Sequence, residues 1–391
     1  MKIAYFTDTY TPEVNGVANT LAKLSSYFEQ KNVKHAFFAP AYNNNDGIME
    51  PDVLSQSKRV HRFSGVRVKI SPESCMAFPR TALINSLCDD FRPDIVHVTT
   101  EFGIGFRGVK YATSRKLPLV MSCHTDFCKY LKYFDLDPLE VIAEKYFRWL
   151  YSFSDKILVP SKNTLEKLKE KDYKNLGIWT RGIDTTKFNA GFRSKDVRKM
   201  LGAGDKFAFL YVGRLSPEKG LHLLIRAIRE INNRFPGKAI FIFTGDGPYA
   251  EKIQQAGLNN VKMTGFKHGQ ELSEIYASCD CFAFPSGTET FGNTPLEAMA
   301  SGLPVVGING GGVTDFLTHD YNALLSGENN QYTFTKNLIS IMENADLRNR
   351  LSENAVNTAI SRNWENIFDN LLKDYMEVVE KRSSASSRRA S

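Results

Sequence analysis

Glu289 and Glu297 are separated by seven residues, Thr290-Phe291-Gly292-Asn293-Thr294-Pro295-Leu296. The first falls in a loop and the second about one turn into a predicted helix. Carboxylates accept hydrogen bonds from vicinal hydroxyls, so two spaced this way can grip two sets of hydroxyl groups, which is sugar chemistry. The plainer reading is a Glu favoured by the dipole at a helix N-terminus. The spacing alone leaves both open.

A second group is Gly213-Arg214-Leu215-Ser216-Pro217-Glu218-Lys219-Gly220. Arg214 and Lys219 flank a turn that runs into a helix. Arg forks onto phosphate oxygens and Lys adds a point charge, so together they can neutralise a diphosphate. A solvated basic turn is the alternative. The G-x-x-x-x-G-K spacing of a Walker loop is absent. Near the start, Gly16 in Glu13-Val14-Asn15-Gly16-Val17 fits a backbone that approaches an anion at a helix N-terminus, or an ordinary turn. His124-Thr125-Asp126 leaves a predicted strand. Gly245-Asp246-Gly247-Pro248 reads mainly as a turn. Gly310-Gly311-Gly312 can expose backbone N–H groups to an anion.

These groups need a scaffold that brings strand ends together. Short, nearly all-apolar runs predict strands over 3–7, 35–39, 95–98, 119–122, 156–159 and 177–180, with helical stretches such as 17–30 and 140–152 between them. Strands of this kind belong to parallel sheets covered on both faces. The pattern restarts with strands over 207–212, 240–244, 261–264, 281–284 and 304–306, and helices near 221–234, 270–277 and 293–300. Two βα series mean two doubly wound α/β domains, each with a crevice at its strand C-termini. If the crevices face each other, a ligand lies between them. We place an N-terminal domain at 1–182 and a second at 183–363. An amphipathic helix over 364–380 follows, and 381–391 reads as a disordered basic tail.

The chain has 391 residues, 42% of them hydrophobic and 24% charged, which suits two soluble globular domains. No apolar run reaches the roughly 18 residues of a membrane span. Residues 1–7 read as a first buried strand and not as a signal peptide. Six cysteines in a chain this long are expected to be reduced thiols in a cytoplasmic protein. Cys279-Asp280-Cys281 lacks a second ligand pair, and Cys123-His124 with Cys128 matches no structural-zinc spacing, so no metal is expected. A net charge of +7 suits an anionic partner without choosing among nucleotide, membrane and nucleic acid. Lys58, Arg59, Arg62, Arg67 and Lys69 interleave with apolar residues, and Arg107, Lys110, Arg115 and Lys116 form a second basic group. Both could meet an anionic lipid surface, or be solvated faces.

The stretch ETFGNTPLEAMASGLPVV resembles the signature of the retaining glycosyltransferase family 4. The GRLSPEKG turn, the VNGV loop and the SCHTDF segment resemble that family too, in the same order. The resemblance runs from Met1 to about Glu380 and looks closest to the branch of mannosyl- and glucosyltransferases that act on lipids. It implies a GT-B fold, two facing Rossmann-like domains with the C-terminal helix crossing back to the first. It also implies roles. Arg214 and Lys219 would hold the donor diphosphate and Glu297 the ribose hydroxyls. Glu289 would hold the transferred sugar, with backbone N–H groups near Phe291 and Gly292. Gly16 would lie over the donor phosphates, His124 beside the sugar and Asp126 towards the acceptor. The donor would be GDP-mannose or UDP-glucose, with no cofactor and no metal, since the two cations replace it.

The expected product is a hexosylated lipid or glycolipid made at the membrane, with the enzyme cytoplasmic or peripheral on the inner face. A soluble sugar acceptor is the alternative, and a glycosyl phosphorylase on the same scaffold a more distant one. No DNA or RNA module is recognisable, so no nucleic-acid partner is expected.

Overall fold

The computed structural model describes residues 1–13, 15–42, 59–68, 71–124, 138 and 140–390, except for the side chains of 67, 68, 71–74 and 385–390. It divides into two compact units. One comprises Met1–Pro160, Leu165–Trp179 and Glu365–Ser391, the other Ser161–Thr164 and Thr180–Trp364.

The first series runs β1 (Lys2–Phe6), α1 (Gly16–Gln30), β2 (Lys34–Pro40), β3 (Val60–Phe63), β4 (Gly65–Val68), β5 (Ser71–Ala77), α2 (Thr81–Phe91), β6 (Ile95–Val98), α3 (Gly103–Arg115), β7 (Leu119–Ser122), α4 (Glu140–Tyr151), β8 (Lys156–Val159), α5 (Lys162–Glu170) and β9 (Leu176–Ile178). Its parallel sheet has the order β3-β2-β1-β6-β7-β8-β9. The central strands are buried along their length because helices cover both faces, which is why their sequences are apolar without alternation. Phe6 stacks on Phe38 at 4.5 Å in that core. Strand β3 was not expected. It is an edge strand carrying His61 and Arg62, and edges tolerate the polar residues that made it look like a basic patch. β4 and β5 pair as a separate antiparallel hairpin.

The second series runs α6 (Lys195–Met200), β10 (Phe207–Val212), α7 (Leu221–Arg234), β11 (Ala239–Thr244), α8 (Ala250–Gln255), β12 (Val261–Gly265), α9 (Gly269–Ala277), β13 (Cys281–Phe284), α10 (Asn293–Ala300), β14 (Val305–Ile308), β15 (Ala323–Ser326), α11 (Gln331–Glu343) and α12 (Ala345–Ile360). The sheet order is β12-β11-β10-β13-β14-β15, again parallel. Helix α7 shows how pattern sets packing. Leu221, Leu224, Ile225, Ile228 and Ile231 form a buried stripe at helical spacing, while Arg226, Arg229 and Glu230 face outward. Each such side chain contributes about 1.5–3 kcal/mol by leaving water. In each sheet the chain reverses direction of growth beside the first strand, at β1/β6 and at β10/β13. That is the switch point where such sheets bind ligands.

The chain ends in α13 (Trp364–Ala390). The segment from 381 onward, expected to be a disordered tail, continues this helix, and the expected end at 380 is ten residues too early. Ser, Ala, Lys and Arg are compatible with a helix once it is nucleated. Arg382 also donates to Asp155 at 2.9 Å, fixing the extension to the first unit. Phe368, Leu371, Tyr375 and Val378 form its buried stripe. Lys156 pairs with Asp374 at 2.6 Å. The Tyr375 hydroxyl bonds to Tyr5 Oη and lies 2.5 Å from His97 Nδ1, while His97 Nε2 lies 2.6 Å from Ser122 Oγ.

Candidate functional site

In the second unit the loops after β10, β13 and β14 meet at the C-terminal rim of the sheet. The turn after β10 is held on two sides. Tyr211 Oη donates to the Arg214 carbonyl at 2.8 Å. Leu215 exchanges backbone bonds with the next loop, its N–H donating to Asp246 and its carbonyl accepting from Tyr249, both at 2.8 Å. The Gly245–Pro248 stretch therefore clamps the cationic turn. Lys219, in a 3-10 turn, reaches the loop after β13 and pairs with Glu289 Oε1 at 2.5 Å.

Glu289 needs its loop held open. Gly292 is the N-cap of α10 with φ of 100°, and an added Cβ there would meet Val313 Cγ1 at 2.4 Å. Only glycine fits. The glycine run after β14 packs against this loop. Gly312 N–H donates to the Glu289 carbonyl at 2.6 Å, and a Cβ on Gly312 would lie 1.9 Å from the Thr290 carbonyl oxygen. The run thus braces the Glu289 loop, and the Gly312 N–H expected to face an anion is spent on it. Phe291 is buried against Phe316, with the Arg362 guanidinium over the Phe316 ring. Helix α10 begins at Asn293, so its first-turn N–H groups, which have no intrahelical partner, stand beside Gly292. Glu297 lies one turn in and accepts from the buried Tyr276 hydroxyl at 2.9 Å.

The electrostatics follow from these contacts. Burial disfavours the Lys219 charge, but Glu289, and more weakly Glu218, outweigh it and raise the Lys219 pKa, while Arg214 opposes them. Arg214 is exposed. Burial raises the Tyr211 and Tyr276 phenols well above their ordinary value, helped by Glu289 and Glu297 respectively, so both stay hydrogen-bond donors. The rim therefore brings together Arg214, Lys219, Glu289, Phe291, Gly292 and Glu297. It can accept a negatively charged group beside the two cations and hydroxyl groups beside the two carboxylates.

In the first unit, Asn15 caps α1 by accepting from Val17 and Ala18 N–H at 3.0 and 2.9 Å, which places Gly16 as the first helical residue after β1. His124, two residues beyond β7, is buried, with its ring tilted against Trp179 at 5.5 Å. Asp126 lies outside the described residues. Sequence reasoning missed two acidic residues at the same rim, Asp8, which is half-buried, and Glu101, which is buried. Asp8, after β1, accepts from Ile104 N–H and from Thr100 Oγ1, both at 2.7 Å. Glu101, after β6, accepts from Tyr151 Oη at 2.6 Å. Burial pushes the Glu101 carboxyl up to about 7, with Tyr151 working against the rise and Asp8 adding to it. The signal was available, since both residues leave strands as His124 does.

The basic groups are partly committed to the fold. Arg59 pairs with Glu29 at 3.2 Å, and Arg62 covers Tyr10 and Tyr42 and donates to Pro40 and Thr11 carbonyls. Lys58 and Lys69 lie outside the described residues, as does the Arg67 side chain. Arg115 pairs with Asp89, and Lys110 Nζ stands 4.7 Å from the Phe106 ring centre. Phe106 leads to Trp149 and Phe153, and both of these are exposed, as are Val141 and Ile142. Among the described residues no helix is long and apolar enough to cross a membrane.

Residues 14–187 match the family described as Glycosyltransferase Family 4, and 193–358 match Glycosyl transferases group 1. The chain is 27% identical over 385 residues to a GDP-mannose-dependent alpha-mannosyltransferase of Mycobacterium tuberculosis (strain CDC 1551 / Oshkosh), covering 98% of both chains. It is 27% identical over 319 residues to the alpha-monoglucosyldiacylglycerol synthase of Streptococcus pneumoniae (strain ATCC BAA-255 / R6), covering 78% of this chain and 70% of that one. In fold it is similar to sucrose-phosphate synthase from Thermosynechococcus elongatus, with a TM-score of 0.78 at 17% identity over 97% and 99% of the two chains. That likeness gives two Rossmann-like parallel-sheet units of the GT-B type. The two family matches leave few residues unassigned between 14 and 358, one covering the first βα series and the other the cationic turn and the paired carboxylates: the chain belongs to glycosyltransferase family 4.

Proposed function

We propose that this enzyme transfers a hexose, mannose or glucose, from a nucleoside-diphosphate sugar to a lipid or glycolipid acceptor, with retention of anomeric configuration. The observation that carries the reading is the Lys219–Glu289 pair at the rim, with Arg214 beside the cation and Glu297 on the adjoining helix. A leaving diphosphate gathers negative charge as the glycosidic bond breaks. Cations fixed at that point act more strongly on the transition state than on the ground state. Arg214 and Lys219 serve this purpose, with the α10 N-terminus adding partial positive charge. They take the place of a metal ion, so the reaction runs without one. Glu289 orients the sugar's hydroxyls, and Glu297 those of the ribose. His124 is assigned to the transferred sugar, Gly16 to the donor phosphates, and Asp126, outside the described residues, to the acceptor. No carboxylate is assigned as a nucleophile, and the acceptor attacks from the face the diphosphate leaves.

The mannosyltransferase relative supports GDP-mannose as donor, and the monoglucosyldiacylglycerol synthase relative supports glucose, for which UDP-glucose would be the donor, and a lipid acceptor. The protein then works as a peripheral enzyme at a membrane's cytoplasmic face. The test is transfer of labelled hexose from each donor to diacylglycerol and phosphatidylinositol in mixed micelles, with soluble sugars in parallel. Labelled glycolipid from one donor is expected. Transfer only to soluble sugars would remove the lipid reading, and sugar transfer requiring phosphate but no nucleotide sugar would remove the donor reading.

A further inference from the structure

Tyr276 on helix α9 carries a hydroxyl to the edge of the core. The Tyr276 ring is fully buried, edge-on to Phe188 at 5.6 Å and tilted against Phe282 at 5.9 Å. A tyrosine held on both sides by aromatic rings cannot swing its hydroxyl to a new partner without opening the core. That hydroxyl emerges at α10 and donates to Glu297 Oε2 at 2.9 Å. Glu297 itself is only partly buried, on the turn of α10 that faces the loop after β13. A partly exposed Glu ordinarily samples several rotamers, and a ligand that needs one of them must order the side chain as it binds. A carboxylate has about four lone-pair sites, so the bond from Tyr276 helps to hold the side chain and still leaves room for a ligand's hydroxyls. Burial and the Glu297 charge keep the phenol protonated, so the bond has a constant direction across the working pH range.

We infer that Tyr276 is a positioning residue for the nucleotide: by holding Glu297 Oε2 it presents the carboxylate ready-oriented to the ribose hydroxyls, and so sets the enzyme's preference for ribonucleotides over deoxyribonucleotides. This rests on the assignment of Glu297 to the ribose. Tyr276 touches neither substrate nor reacting atoms, so its removal should act on donor affinity and not on turnover.

The experiment uses the full chain with Tyr276→Phe, Glu297→Ala and the double variant. Calorimetry first compares GDP with UDP on the parent enzyme, and the tighter diphosphate is carried forward with its 2′-deoxy and 3′-deoxy forms. Tyr276→Phe should weaken the ribonucleotide on the order of tenfold, the scale of one hydrogen bond to a charged group. It should raise the donor KM similarly, with kcat within about twofold. The loss should vanish for the deoxy form that Glu297 discriminates against, and should vanish in the Glu297→Ala background. The ratio of ribo to deoxy affinity is internal to each variant, so partial misfolding does not mimic the result. If Tyr276→Phe keeps the parent ratio while Glu297→Ala loses it, Glu297 reads the ribose unaided and the inference is overturned. Equal weakening of both nucleotides by Tyr276→Phe gives a general packing role and also overturns it. If Glu297→Ala keeps the parent ratio, the ribose assignment itself fails and Tyr276 has nothing to position.

Discussion

Lys219 Nζ and Glu289 Oε1 lie 2.5 Å apart, so the cation assigned to the donor diphosphate and the carboxylate assigned to the sugar bond each other at the rim. Both side chains are about a quarter exposed, at 22% and 25%. Each charge thereby compensates the other. A bound diphosphate offers Lys219 a second anion, which frees acceptor capacity on Glu289 for hydroxyls.

Glu289→Gln should lower kcat by at least about 100-fold, the scale seen when one preorganised group is removed from a transition state. Affinity for the nucleoside diphosphate should be unchanged or slightly higher, because Lys219 no longer has an internal competitor. Steady-state kinetics with calorimetry separates the two. Normal turnover in this variant would sink the role given to Glu289.

Arg214→Ala and Lys219→Ala should each reduce kcat/KM by about 100-fold or more, since charge-assisted bonds to the leaving group strengthen as it departs. Transfer should persist in excess EDTA. Loss of activity that Mn²⁺ or Mg²⁺ restores would show that the two cations do not suffice.

The parallel sheets and the rim of the second unit were legible because buried parallel strands are apolar throughout and because ligand loops follow strands. Glu289, Glu297, Arg214 and Lys219 could be picked out as candidates by type and spacing, which left a dipole-favoured Glu and a solvated basic turn open beside them. Other features were not legible. Strand β3 hid behind His61 and Arg62, which an edge position tolerates. Helix α13 outran its apolar stripe because Arg382 found Asp155, a partner far away in sequence. The bonds from Tyr276 to Glu297 and from Tyr151 to Glu101 join residues on different elements, and no periodicity within one element announces them.

Glu101 makes stability depend on pH in a definite direction. Its carboxyl is raised from an ordinary 4.5 to about 7 in the fold. The folded state thus holds a proton that the unfolded chain has released. The contribution is complete below about pH 4.5 and is lost as pH rises through about 7. The gap amounts to about 3 kcal/mol at most. Glu101→Gln is neutral at every pH and still accepts from Tyr151. It should match the parent near pH 5, melt at a higher temperature at pH 8, and flatten the profile between. Burial raises Asp8 as well, so some slope at lower pH should remain. Parallel melting profiles for the two proteins would show that Glu101 does not bind this proton.

Tyr375 joins α13 to the first sheet through a buried polar chain, and its loss should be felt as instability. Tyr375→Phe leaves Tyr5 Oη and His97 Nδ1 without that hydroxyl in a buried position. A cost of about 1–3 kcal/mol is expected. For a unit of this size that lowers Tm by about 2–4 °C per kcal/mol. Adding Tyr5→Phe should cost less than the sum of the single changes, because an orphaned hydroxyl is removed with it. Strict additivity in thermal denaturation would show that the two hydroxyls are not coupled.

The exposed face of α3 and α4 gives the membrane expectation a location in the first unit. Trp149 is 49% exposed, and Val141 and Ile142 more so, at 62% and 64%. Lys110 stands over Phe106, which in turn meets the Trp149 ring. Aromatic rings with an apolar body and a nearby cation suit the headgroup boundary of a bilayer. By contrast Arg59 and Arg115 are neutralised by Glu29 and Asp89, and Arg62 is bound to backbone carbonyls. The attraction to lipid should therefore come from Lys110 and its aromatic neighbours more than from the basic run around Arg62. Flotation with vesicles rich in anionic lipid should show reversible binding at low salt, weakened by screening at high salt. Lys110→Glu should remove most of the salt-sensitive part. Trp149→Ala should weaken binding at both salt concentrations, because burial of an indole is not screened. Full binding by both variants would move the docking surface elsewhere. No binding by the parent enzyme at low salt would remove membrane docking altogether and favour a soluble acceptor.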